Sequence, residues 1–145
     1  MTTLSEREVN VLKEALDDEH RAWATYDQVI TDFGEVSPFA NIRESESRHI
    51  GALNKLFTRY KLAIPKNHWP GKVDRYANLQ VACTSGIAGE VLNAEMYDRL
   101  IAATVRPDIL FVLRNLQDAS QNRHLPAFQR CASGSGIACR ATGYC

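Results

Sequence analysis

Glu19-His20-Arg21-Ala22-Trp23-Ala24-Thr25-Tyr26-Asp27 recurs in outline as Glu90-Val91-Leu92-Asn93-Ala94-Glu95-Met96-Tyr97-Asp98. Each Glu has a Tyr seven residues on, and each Tyr is followed by Asp. Seven residues are two helical turns, so Glu and Tyr share one face. A second element follows each stretch, Glu46-Ser47-Arg48-His49 after the first and Gln121-Asn122-Arg123-His124 after the second. The duplication predicts two similar helical hairpins.

The flanking sequence carries helix signals. Ser5 and Glu8 have capping-box spacing, and Leu4 with Val9 can form the staple around it. Val9, Leu12, Leu16, Trp23 and Ile30 follow a helical period, which Gly34 ends. Ser37-Pro38 reads as an N-cap with a first-turn proline, opening a helix that runs to about Tyr60. Residues 61–75, with Ile64-Pro65 and Trp69-Pro70-Gly71, read as a long connection. Helix resumes near Tyr76, with Gly86 and Gly89 as weak points. Arg106-Pro107-Asp108 marks a break, and Ile109, Val112, Leu113, Leu116 and Leu125 define a fourth helix. Pro126 should kink or loosen its last turns. The expected architecture is an all-α four-helix bundle over residues 1–132, with a flexible Gly/Ser/Cys tail over 133–145.

Bulk properties exclude several classes. The chain has 145 residues, 17 Lys plus Arg and 17 Asp plus Glu, so its net charge is zero. It lacks the basic stripe of a nucleic-acid binder and the long apolar run of a membrane span. The first residues, Met1-Thr2-Thr3-Leu4-Ser5-Glu6, lack a signal layout, which favours the cytoplasm, with an exported form whose leader was removed as the other option. Cys83 stands alone, and Cys131, Cys139 and Cys145 match no standard zinc spacing. Free thiols, tail disulfides or capture of a soft metal ion all fit them.

Glu46 and His49 are three apart and project from one helix face, and Gln121 and His124 have the same spacing. Carboxylate oxygen and imidazole nitrogen suit a divalent transition metal. Glu19 and Glu90 would close the site from the other two helices. A lone Glu-x-x-His says little; four elements in this order approach the ligand set of a di-metal bundle. Tyr26 and Tyr97 read as core tyrosines whose hydroxyls reach a carboxylate of the opposite helix. His20 and His68 read as surface and loop residues, Trp23 as packing, and Arg48 and Arg123 as solvated or ion-paired.

Glu19 to Tyr26 and Glu90 to Tyr97 resemble the first and third helices of rubrerythrin-type domains in the ferritin-like superfamily. Phe39 to His49, with Pro107-Asp108-Ile109 and His124 to Phe128, resembles more closely one branch of it, a prokaryotic ferritin-like domain family of unknown function. The resemblance spans about residues 5–130 and implies a ferritin-like bundle holding two iron ions, with manganese possible at either position. Its ligand pattern falls on Glu19, Glu46, His49, Glu90 and His124, with Gln121 where a symmetric site has Glu. Asp118 and Glu95 are candidates for the missing charge. The implied activity is a peroxidase- or ferroxidase-like reaction with O2 or peroxide. Electrons would come from an external donor, since the paired Cys-x-x-Cys motifs of full rubrerythrins are missing. A homodimer is a further expectation of the resemblance. The rival reading is a non-catalytic metal carrier or stress-associated protein.

Overall fold

The computed structural model describes residues 3–134. Cys139, Cys145 and most of the expected tail lie outside the described residues. Five α-helices make up the bundle: α1 Glu6–Phe33, α2 Phe39–Arg59, α3 Leu79–Ile101, α4 Pro107–Ala119 and α5 Leu125–Ala132. A π-helical segment, Ser120–His124, joins α4 to α5, so that the three form one continuous fourth rod. There is no strand among the described residues. α1 packs on α2, and α3 on α4 and α5; contacts of α1 with α3 and of α2 with α4 close the bundle.

The helix ends follow local chemistry. The Ser5 hydroxyl accepts from the Glu8 amide at 3.1 Å while the Glu8 carboxylate accepts from the Ser5 amide at 3.2 Å. Leu4 is buried beside half-buried Val9. Gly34 ends α1 at φ +94°, a conformation that favours glycine. Two helix starts differ from expectation. α2 starts at Phe39 without a side-chain cap from Ser37, after a cis Ser37–Pro38 peptide. α3 starts at Leu79 rather than Tyr76, because the Asn78 side chain caps it by accepting from the Val81 amide at 2.9 Å. The fourth helix is distorted near Pro126, in the late turns where loosening was expected. The distortion precedes the proline, as a wide turn in which the Leu125 amide reaches the Ser120 carbonyl five residues back. Pro126 then falls in the first turn of α5, where a missing N–H is tolerated.

Two apolar clusters fill the bundle. One contains Leu12, Leu16, Leu53, Phe57, Tyr97, Ile109 and Leu113; the other contains Tyr26, Val29, Phe39, Ile42, Cys83 and Phe128. Between these clusters every rod carries buried polar residues: Glu19 on α1, Glu46 and His49 on α2, Glu90 on α3, and Ser120 and His124 on the fourth. The second cluster holds a Cys83–Cys131 disulfide with Cα atoms 5.8 Å apart. Cys83 is therefore not the solitary thiol that its sequence position suggests. Gly86 faces the Phe128 ring so closely that a Cβ would lie 2.8 Å from it.

Candidate metal centre

Three carboxylates and two imidazoles meet in the middle of the bundle, all nearly inaccessible: Glu19, Glu46, His49, Glu90 and His124 are each 8% exposed or less. They form two groups able to hold a metal ion, Glu19–Glu46–His49 and Glu46–Glu90–His124. Glu46 belongs to both. His49 Nδ1 lies 3.1 Å from Glu19 and 3.5 Å from Glu46; His124 Nδ1 lies 3.3 Å from Glu46 and 3.4 Å from Glu90. The two rings stack with centroids 5.6 Å apart.

The tyrosines cross the bundle. Tyr97 donates to Glu19 Oε2 at 2.7 Å, and Tyr26 donates to Glu90 Oε2 at 2.5 Å. Burial, then the nearby glutamates, pushes both phenol pKa values well above their usual value, so both remain donors. This reciprocity explains the duplicated seven-residue offset. A Glu in the middle of one hairpin is held by a Tyr two turns along the other.

Protonation follows from crowding. Burial pushes the Glu19 pKa up, but hydrogen bonds from His49, Glu46 and Tyr97 outweigh it and hold it at about 2. Burial, and then repulsion from Glu19 and Glu90, drives Glu46 well above the carboxylate range. Without a cation, Glu46 is the acid of the cluster that burial and repulsion drive most strongly toward its protonated form.

The imidazole tautomers follow from the same network. Ionised Glu19 can only accept, so His49 Nδ1 donates to it. With neutral rings, His49 Nε2 then accepts from Ser45 Oγ at 3.3 Å, and Ser45 Oγ accepts from His124 Nε2 at 3.0 Å. His124 Nδ1 is left as a bare lone pair among carboxylates. It is buried and has no hydrogen-bond partner among the described residues. A cation at this point would meet imidazole nitrogen and carboxylate oxygen together, the donor set for a divalent transition metal. The residues present therefore fit a metal ion.

The structure places Gln121 elsewhere. In a regular helix, residues three apart share a face, which would bring Gln121 in beside His124. The π segment widens that turn, so Ser120 faces inward, 1% exposed, while Gln121 is exposed. Ser120 donates to the Glu90 carboxylate at 2.7 Å and lies 2.9 Å from its carbonyl. Asp118 and Glu95 are exposed too, so neither replaces the missing carboxylate. The nearest further acid is Asp18. It accepts from Asn93 Nδ2 at 2.6 Å, and Asn93 also donates to Glu19 at 3.2 Å. Ser45, Asn93 and Ser120 were not singled out from the sequence. Asn93 lies three residues after Glu90, a spacing that could have flagged it; the register shift hides Ser120.

Other expectations divide. His20 is buried rather than at the surface, and burial lowers its pKa. His68 does lie in the connection, 3.2 Å from Asp17. Trp23 donates to Ser47 Oγ at 3.0 Å, and Asp27 pairs with Arg43 at 2.8 Å.

Two cavities reach the centre. One of about 340 Å³ lies between α2 and the fourth rod and touches Ser45 and His124. Another of about 310 Å³ lies between α1 and α3 under Trp69 and touches Tyr26, Glu90 and Asn93. No helix among the described residues is long and apolar enough to cross a membrane.

Comparison with protein-family models and with curated proteins found no match. Among solved structures, the chain is similar to a hypothetical protein from Methanococcus jannaschii. The TM-score is 0.82 at 26% identity, covering 94% of this chain and 85% of that one. The likeness supports the four-helix fold and brings no activity with it.

Proposed function

We propose that this chain is a di-metal carboxylate protein of the ferritin-like, rubrerythrin-type kind. Its centre would take two iron ions, or iron with manganese, and react with O2 or peroxide. The observation that carries the reading is Glu46, shared by two carboxylate–imidazole groups, one of which ends in the unpartnered Nδ1 of His124.

The protein's own groups have definite parts in this reading. Glu46 would bridge, giving up the proton it keeps in the metal-free state. Glu19 with His49 and Glu90 with His124 would hold one position each. Tyr97 and Tyr26 hold the Oε2 atoms of Glu19 and Glu90, while the Oε1 atoms lie beside the imidazoles and would turn to metal by exchanging their contacts with His49 and Ser120. The apolar clusters on either side limit water at the centre. Ferrous ions there would supply electrons to a small oxidant, and an external donor would restore them.

One observation favours the carrier reading. Three carboxylates leave two divalent ions with a residual positive charge, and the exposure of Gln121, Asp118 and Glu95 removes the candidate fourth acids. A site that binds its second ion weakly would store or pass on metal. The buried Cys83–Cys131 disulfide also favours an oxidising compartment over the cytoplasm.

The test is an anaerobic Fe(II) titration of the metal-free protein, followed by peroxide and then O2. Uptake of two irons per chain with rapid loss of ferrous iron supports the oxidoreductase. Uptake of one, or uptake without oxidation, supports the carrier. Full uptake by Glu46→Ala removes the assigned centre.

A further inference from the structure

Arg48, Arg123 and Arg130 differ from six other arginines of this chain. Arg21, Arg43, Arg59, Arg75, Arg99 and Arg106 each pair with a carboxylate. None of the first three guanidinium groups makes an ion pair or a side-chain hydrogen bond among the described residues. All three line the cavity of about 340 Å³ between α2 and the fourth rod, and no acidic residue among the described residues lines it. The sequence reading gave Arg48 and Arg123 a solvated or ion-paired role. Their shared cavity gives them a common one.

The placement follows from helix spacing. Asn41, Ser45 and Arg48 are four and three apart on α2, which puts them on one face. Arg123 and Arg130 are seven apart on the opposing rod, two turns along the same side. The rim is thus cationic and the floor is built from buried polar groups, Ser45 at 8% exposed and His124 at 3%. A neutral oxidant such as O2 or peroxide has no use for three guanidinium groups. An oxyanion does, because planar guanidinium forks match carboxylate and phosphate oxygens.

We propose that this cavity binds a small organic oxyanion, a carboxylate or a phosphate, between Arg48, Arg123 and Arg130 with its far end over Ser45 and His124. Oxyanion binding stands on the cavity alone. Its role as a co-substrate site beside a metal centre rests on the proposed function. The size suits a molecule of a few carbons, and Ile42 and Ala127 give its chain an apolar wall.

The test titrates metal-free and metal-loaded protein separately with inorganic phosphate and with succinate, using chloride at equal ionic strength as the control. Calorimetry gives affinity, and amide NMR gives location. The expected result is saturable binding with a dissociation constant of about 1 mM or lower. Resonances of Ser45 and His124 should move along with those of the rim. Arg123→Gln alone should weaken binding roughly tenfold. The triple variant Arg48→Gln/Arg123→Gln/Arg130→Gln should abolish it, with metal uptake and circular dichroism unchanged. Phosphate-only or succinate-only saturation identifies the preferred anion class. Non-saturable shifts confined to the rim, or equal affinity in the triple variant, overturn the proposal. Loss of metal binding in a protein that still binds phosphate would instead count against the metal centre and leave the anion site standing.

Discussion

Replacing Gln121, Ser120 and His124 one at a time by Ala separates the register of a regular helix from the one observed. In a regular fourth helix Gln121 would be a ligand and Ser120 a bystander. With the π segment present, Ser120 is the buried partner of Glu90 at 2.7 Å, and Gln121 faces solvent. Ser120→Ala leaves a buried carboxylate one donor short, which costs about 1–3 kcal/mol. Gln121→Ala is a surface change and should stay within about 0.5 kcal/mol. His124→Ala removes a ligand, so its signature is the loss of metal-linked stabilisation. For a folded-state ligand at 100 times its dissociation constant, that stabilisation is about 2.7 kcal/mol. In a chain of this size it corresponds to roughly 5–10 °C in melting temperature. The assay is thermal unfolding of each variant without metal and with Fe(II) under anaerobic conditions. Ser120→Ala should melt lower than the parent even without metal. Gln121→Ala should match the parent in both states, and His124→Ala should gain nothing from Fe(II). A Gln121→Ala variant that loses its metal response while Ser120→Ala keeps it would refute the observed register and restore the one read from spacing.

Gly86→Ala should destabilise by about 1–3 kcal/mol, since its Cβ would meet the buried Phe128 ring at 2.8 Å. Gly89→Ala, where a Cβ meets nothing within 4 Å, should stabilise by about 0.5–1 kcal/mol in the same denaturant titration. Reducing Cys83–Cys131, which are 48 residues apart, should cost at most about 4 kcal/mol through the larger entropy of the unfolded chain; melting with and without a phosphine reductant checks it. Burial pushes the Glu8 pKa up, but hydrogen bonds from Thr104, the Ser5 amide and Arg106 outweigh it and hold the pKa at about 2 against 4.5 unfolded. That contribution is complete above pH 4.5 and is lost as pH falls through about 2, so Glu8→Gln should flatten the acid limb of the stability curve by about 1 kcal/mol. During a Zn(II) titration followed by NMR, the His124 ring should shift before the His49 ring.

The fold was legible because its signals are local. The Ser5–Glu8 box, Gly34 and the apolar period of α1 each act within a turn or two of themselves. The five ionisable members of the centre were legible for a related reason. Glu19 and Tyr26, or Glu46 and His49, need only helical spacing to share a face. The misplacements arise where spacing fails or where distant parts meet. Pro126 announced a distortion, but whether the helix would end, kink or widen depended on packing around His124 and Phe128. Widening moved Ser120 inward and Gln121 out. The Cys83–Cys131 bond joins α3 to α5 across the bundle, and no local pattern selects that pairing. His20 is buried in part because the long connection returns over α1, where the Asn67 side chain donates to the His20 carbonyl at 3.3 Å.

The two halves of the centre are duplicates in sequence and unequal in chemistry. On the α1 side, Glu19 receives Tyr97, Asn93 and the Nδ1–H of His49. A metal ion entering there must displace the histidine proton and break the 3.1 Å bond that holds it. On the α3 side, Glu90 receives Tyr26 and Ser120, and the Nδ1 of His124 has no hydrogen bond to lose. With both rings neutral, the donation of His49 to Glu19 sets, through Ser45, a His124 tautomer whose Nδ1 carries a lone pair. The first half is thus satisfied by hydrogen bonds at the cost of leaving the second open. Glu46, keeping its proton between them, is released only when a cation replaces it. In the proposed centre, Glu90 and His124 would hold the first ion, and Glu19, His49 and an ionised Glu46 would hold the second. With Ser120 buried and Gln121 exposed, the cluster offers three carboxylates to balance two such ions. In the proposed centre, the same wide turn that turns His124 inward would therefore leave the second ion with the weaker hold.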